Sequence, residues 1–207
     1  MYHGEKFNSL SHLVGGMLAV AGAAVLITFA SLYGDVWKVI GTSIYSAGMI
    51  LVFTMSTLYH STPGPLKILL RKFDHIAIYF MIAGTYSPFC LVSLRGPWGW
   101  SLFSVVWSLA FLGLLLEFTL SHRTRIPSLV LYFAMALLAV VALKPLTEAL
   151  PWHGFLWLTV GGLLYLAGFF FYIFDKKVSH FHGIWHLFVI GGSACQYLCI
   201  FLYVVSP

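Results

Sequence analysis

Charge is the scarcest commodity in this chain: 8% of its 207 residues are charged, against 60% hydrophobic. A soluble domain carries about 25% charged residues, so a water-soluble fold of this composition would have almost nothing with which to cover its surface. Long polar stretches are lacking too. No loop or tail is long enough for a second folded unit, and 1–207 reads as one transmembrane domain. The three cysteines, Cys90, Cys195 and Cys199, all fall in apolar stretches without a C-x-x-C, so no disulfide framework is implied. No internal repeat is visible, which argues against an inverted-repeat transporter. The first apolar block, Leu10 to Tyr33, has no clear small-residue cleavage site and is too long for the core of a signal peptide, so it is expected to remain as a helix.

What is present is a series of apolar blocks, each about the length that crosses a ~30 Å hydrocarbon core. Seven spans are expected, at 10–33, 36–59, 73–94, 99–119, 126–144, 154–174 and 183–204, giving an all-α, seven-helix membrane bundle. Helix stoppers mixed with polar residues separate them, among them Gly34-Asp35, Ser61 to Pro65, Arg95-Gly96-Pro97, His122 to Pro127, Pro145 to His153 and Asp175-Lys176-Lys177. The fifth span is the shortest and ends on Lys144, whose ammonium must snorkel to water. Pro88 is expected to distort the third helix. Glycines such as Gly15, Gly41, Gly48, Gly84, Gly161 and Gly191 permit close helix approach in lipid.

The net charge of +5 sits in short loops, so it reads as a topology signal and not as a nucleic-acid surface. Eight Lys and Arg fall on one side (Lys6, Lys67, Arg71, Lys72, Arg123, Arg125, Lys176, Lys177) and three on the other (Lys38, Arg95, Lys144). The positive-inside rule then predicts a cytoplasmic N-terminus and an external C-terminus. Trp98, Trp100, Trp152 and Trp157 flank the outer ends, as an aromatic belt does.

Nine histidines are many for so apolar a chain, and with this topology all but His153 fall on the cytoplasmic side. His182-x-x-x-His186 puts two imidazoles on one helix face, roughly 5–6 Å apart at Cβ, where one metal ion can bridge them. At a helix start the macrodipole disfavours imidazolium and keeps both rings neutral. Alone, the pair could equally be interfacial histidines bonded to headgroups. Ser56-x-x-x-His60 repeats the spacing at the end of the second helix. Asp74 opens the third helix, where capping is the competing reading; Ser56 could simply back-bond to its own helix. Depth changes the balance. Ser56, His60, Asp74, His182 and His186 share one layer of the membrane, and three neutral histidines with an open fourth position make a catalytic zinc arrangement.

Weaker expectations attach to other residues. His12, after Ser11, could support the ligands. His75 should point away from Asp74. Glu117 could pair with Arg123 or Arg125. The face through His182 and His186 runs on to Ser193 and Gln196, suggesting a polar path, with Cys195 and Cys199 as packing.

Glu5-x-x-Asn8-x-x-Ser11-His12-x-x-Gly15, Ser56-Thr57-Leu58-Tyr59-His60, Ala83 to Pro88, Phe73-Asp74-His75 and His182-x-x-x-His186 together resemble the motifs of the progestin and adipoQ receptor family, over nearly the whole chain. The closest likeness is to its bacterial hemolysin III branch. Many members carry two acidic residues before the asparagine; here there is one, Glu5. The resemblance implies a seven-helix protein of the bacterial cytoplasmic membrane in which His60, His182 and His186 bind Zn²⁺, with Asp74 and Ser56 around a bound water and Glu5, Ser11 and His12 behind them. The wider superfamily includes alkaline ceramidases, which hydrolyse lipid amides. The expected function is therefore a zinc-dependent lipid amide or ester hydrolase in membrane-lipid homeostasis, with membrane lipids or a free fatty acid as partners. The alternatives are a lipid or membrane-state sensor with structural zinc, and a cytolytic pore. A pore needs a continuous polar lumen, and the polar groups cluster in one layer.

Overall fold

The computed structural model describes residues 4–119 and 125–205, and these residues form helices and connecting turns without a strand. In chain order the helices are α1 (Lys6–Tyr33), α2 (Val36–Ser61), α3 (Leu66–Pro88), α4 (Pro97–Thr119), α5 (Ile126–Val141), α6 (Leu143–Ala149), α7 (Trp152–Phe174) and α8 (Phe181–Ile200). Six are long and apolar enough to cross a membrane, or seven if the bent pair α5 and α6 forms one span. Their outward faces carry large apolar side chains, among them Met17, Leu18, Leu115 and Leu163. A bilayer solvates such faces and water does not.

The expected fifth span, 126–144, is broken: α5 and α6 meet at Ala142 with a bend of 54°. Pro145 supplies the reason. It has no N–H for the carbonyl of Val141, and its ring crowds that carbonyl, so the helical ladder cannot run straight through. At Pro88 the expected distortion takes the form of a π-helical turn, Phe89–Ser93, closed by Leu94 N–H donating to the Phe89 carbonyl at 2.8 Å. A similar turn, Phe201–Val205, extends α8, and Lys38 at the start of α2 donates to its Val205 carbonyl at 3.0 Å.

Five helices start earlier than the hydropathy suggests, α4 at Pro97 and α7 at Trp152 by two residues each. α1 begins at Lys6 and not near 10, so Asn8, Ser11 and His12 are helical. α8 begins at Phe181 and not at 183. α3 begins at Leu66 and not at 73, so Asp74 lies well inside the helix and caps nothing. Lys67, Arg71 and Lys72 look like loop residues, yet they form the first turns of α3.

Three closely packed helix pairs hold the bundle. α2 and α3 pack backbone to backbone: a Cβ on Gly48 would lie 3.0 Å from the Phe80 carbonyl oxygen, and one on Gly84 would lie 3.3 Å from that of Ile44. α1 with α2, and α7 with α8, are packed almost as closely. The expected polar path along α8 is closed off by internal bonds. Ser193 Oγ lies 2.9 Å from the Tyr165 hydroxyl, and Gln196 Nε2 donates to the Leu158 carbonyl at 3.1 Å. Cys195 and Cys199 are buried packing residues, with Cys199 Sγ directed at the Gly154 carbonyl.

Candidate metal centre

The start of α1, the end of α2, the end of α7 and the start of α8 meet at one end of the bundle and bring His60, His182 and His186 together. One ligand nitrogen from each can be chosen so that all lie within 4.8 Å of one another. His60 and His186 are buried and His182 is partly buried.

Each ring is anchored through Nδ1. His60 Nδ1 donates to Glu5 Oε2 at 2.6 Å. His182 Nδ1 donates to Asp175 Oδ2 at 2.7 Å. His186 Nδ1 donates to the Asn8 carbonyl at 3.0 Å, with Ser11 Oγ at 3.1 Å. Carboxylates and carbonyls only accept, so these partners keep the hydrogen on Nδ1 and leave a lone pair on each Nε2. This is how metal-binding imidazoles are commonly oriented.

The Nε2 atoms have nothing among the described residues to satisfy them. Those of His60 and His182 face each other at 3.1 Å, lone pair to lone pair, which is repulsive without a cation between them. His186 Nε2 is buried with no hydrogen-bond partner. In a tetrahedral zinc site with Zn–N of about 2.0–2.1 Å, ligand nitrogens stand roughly 3.3 Å apart. The three imidazole donors, and the 3.1 Å separation of His60 and His182, thus fit a metal ion of the zinc type.

Glu5 lies at the junction of these anchors. It also accepts from Lys67 Nζ at 3.0 Å and from Asn8 Nδ2 at 3.1 Å. Burial alone would raise its pKa, but the bonds from His60, Lys67 and Asn8 outweigh it and hold the carboxyl well below the usual carboxylate range. Asp175 behaves likewise: burial opposes its charge, yet His182 and Arg125 bring its pKa down to about 2. Arg125 grips it through two guanidinium nitrogens, at 2.7 and 3.3 Å. Both anchors therefore stay ionised at neutral pH.

Asp74 and Ser56 adjoin the centre without joining the convergent set. Both are buried, and the Ser56 hydroxyl is a neighbour of the Asp74 carboxyl. His12 touches the centre through its ring, stacked on His186 with centroids 3.6 Å apart and planes 9° from parallel. Glu117 does not pair with Arg125, which is taken by Asp175; instead it accepts from Ser128 Oγ at 2.6 Å and has His75 Nδ1 at 3.4 Å. Arg123 lies outside the described residues. His75 lines the same vestibule as Asp74, with its Nδ1 beside Glu117.

Two spaces meet here. A polar vestibule of about 350 Å³ is lined by Glu5, His60, Asp74, Glu117, Arg125 and His182, among others. An apolar cavity of about 390 Å³ extends into the bundle past Ile78, Met81, Phe133, Leu163 and Val189. Asp74 and Tyr172 border both spaces. Leu137 and Val140 of α5, and Leu163 and Leu166 of α7, line the apolar cavity and are also exposed on the outer surface, so the cavity opens sideways between these helices.

Sequence reasoning missed Asp175, the Asn8 carbonyl and Tyr172. A carboxylate at the end of α7, shortly before the histidine pair, was the signal available for the first. A backbone carbonyl and a buried tyrosine leave none.

The model of the family described as "Haemolysin-III related" matches residues 1–197. "Hemolysin-3" of Bacillus cereus is 41% identical over 202 residues, covering 97% of this chain and 92% of that protein. "Hemolysin-3 homolog" of Bacillus subtilis (strain 168) is 41% identical over 203 residues, covering 98% and 95%. "Monocyte to macrophage differentiation factor" of Homo sapiens is 28% identical over 204 residues, covering 95% and 83%.

Proposed function

This chain belongs to the haemolysin-III-related family of multi-pass membrane proteins, and we propose that it is a zinc-dependent hydrolase of a lipid amide or ester bond. One observation carries the reading: three imidazoles anchored through Nδ1 lie together beside a polar vestibule that His60 and His182 line, and Asp74 borders both that vestibule and an apolar cavity. Bound by His60, His182 and His186, zinc would lower the pKa of a coordinated water toward ~7 and polarise the substrate carbonyl. Asp74 receives the proton of the attacking water and orients it. The Ser56 hydroxyl donates to the oxygen that gains charge. The acyl chain lies in the apolar cavity, entered between α5 and α7, and the polar product leaves through the vestibule. Membrane lipids and a released fatty acid are thus the partners.

The same reading puts the vestibule and the N-terminus in the cytoplasm, on the eight-to-three split of basic residues. The start of α1 lies at the His60 end of α2, and the end of α8 lies at the Lys38 end. That arrangement supports an odd number of crossings, with α5 and α6 as one span.

One feature favours a sensor with structural zinc as the second reading: the ligands and their anchors tie four helix ends together, as a structural site also does. The pore reading gains nothing from the interior, where Ser193 and Gln196 are bonded internally.

Asp74→Asn separates the two readings. It preserves shape but cannot take a proton at neutral pH. In the hydrolase, zinc stays bound while product release from a lipid panel, read by mass spectrometry, falls about 10²–10⁴-fold. No turnover by the wild type, with zinc lost from Asp74→Asn, would overturn the hydrolase in favour of the sensor.

A further inference from the structure

Among the described residues, the vestibule contains a guanidinium that no side chain engages by hydrogen bond or ion pair. Its carboxylates are committed: Glu5 to His60 and Lys67, Asp175 to His182 and Arg125, Glu117 to Ser128. Arg125 is spent on Asp175. Arg71 lines the same space, is only partly exposed, and forms no hydrogen bond or ion pair among the described residues. A guanidinium presents a planar fork of donors that matches phosphate and carboxylate oxygens. An ordinary interfacial arginine would hold its fork out among the bilayer headgroups. This one lines the chamber that contains the candidate ligands His60 and His182.

Its placement sets an order along α3. Asp74 borders the apolar cavity, and Arg71 lies three residues earlier on the same face, roughly 4.5 Å of helix rise toward the start of α3, and lines the vestibule. Exposed Lys176 also lines the vestibule. Travelling outward, the path passes an apolar chamber, the reacting residues and then an uncommitted cation. A molecule complementary to that path has an acyl chain, a carbonyl and an anionic head, in that order.

We infer that the vestibule is a headgroup subsite in which Arg71 recognises the anionic, phosphate-type head of the lipid. The inference rests on the hydrolase reading and adds the substrate class: an anionic amphiphile in preference to a zwitterionic or neutral one. Arg71 is a specificity residue that touches the head, away from the reacting bond.

The test uses full-length, zinc-loaded protein in a neutral detergent, offered an equal mixture of lysophosphatidic acid and lysophosphatidylcholine of one chain length. Native mass spectrometry reads the bound ratio. The wild type should favour the lysophosphatidic acid about tenfold, a modest return for a charge-assisted bond that is partly open to water. Arg71→Gln should bring the ratio near unity with zinc content unchanged, and Arg71→Lys should retain part of the preference. An unchanged ratio in Arg71→Gln would overturn the subsite and leave the hydrolase standing. Failure of the wild type to bind either amphiphile would count against the hydrolase itself.

Inorganic phosphate supplies the same chemistry without a chain, and Gly162→Leu distinguishes the two sources. Gly162 lines the apolar cavity, and a Cβ there meets open space, so leucine narrows the chain's chamber and leaves the vestibule intact. Loss of lysophosphatidic acid binding in this variant supports a lipid head. Millimolar phosphate that binds equally in wild type and Gly162→Leu, and displaces the head preference, would assign the subsite to free phosphate and overturn the proposal.

Discussion

Along α2 and α3 the helices touch backbone to backbone, with Gly48 facing the Phe80 carbonyl and Gly84 facing that of Ile44. Between α5 and α7 the walls stand apart over an apolar cavity, and Phe133 stacks on Phe169 across the gap with centroids 6.3 Å apart. The closed seam carries His60, Ser56 and Asp74; the open one gives access to them. In the hydrolase proposed above, the reacting groups would have to be held to a fraction of an ångström, whereas a lipid chain would need an entrance. The division of the bundle into a locked side and a parted side meets both demands.

Two glycine substitutions break this comparison most sharply. Gly48→Leu should have the largest effect of all, because its side chain would meet backbone at 3.0 Å and force α2 and α3 apart. Folded yield and thermal stability should collapse, and zinc should go with them. Gly162→Leu, the same chemical change over open space, should leave stability equal or slightly raised, since glycine costs a helix about 1 kcal/mol relative to better formers. Its effect should be confined to lipid binding and turnover, read at constant zinc content. A stable Gly48→Leu protein, or normal turnover in Gly162→Leu, would erase the distinction.

The next effect in size concerns the anchors. Asp175→Asn keeps a hydrogen-bond acceptor for His182 but removes the charge and weakens the Arg125 grip, so zinc affinity should fall about 10–100-fold. Glu5→Gln should fall in the same range and also release Lys67. Competition with a chromophoric chelator measures both. The smallest effect belongs to the deep polar pair: Ser193→Ala removes the bond to Tyr165 and should cost on the order of 1 kcal/mol of stability, with zinc and turnover unchanged.

Much of this was legible before any coordinates. Apolar blocks reveal helices because lipid demands continuous runs. The i,i+4 pair His182 and His186, together with His60 at a helix end, gave the convergent set, because helix geometry and depth are both functions of position in the chain. The failures share a cause. Lys67, Arg71 and Lys72 form amphipathic turns where water meets lipid, so hydropathy placed the start of α3 too late and left capping open as a competing reading for Asp74. Asp175 looked like loop punctuation, since its value comes from the fold bringing the end of α7 against the start of α8. The break at Ala142 was foreshadowed by Pro145, which had been counted only as the end of a span.

The central claim is that three Nε2 atoms hold one metal ion. Elemental analysis of the purified full-length protein should find about one zinc per chain, and His60→Ala, His182→Ala and His186→Ala should each lose most of it. A double variant lacking His182 and His186 that stays folded and keeps its full zinc content would contradict the account.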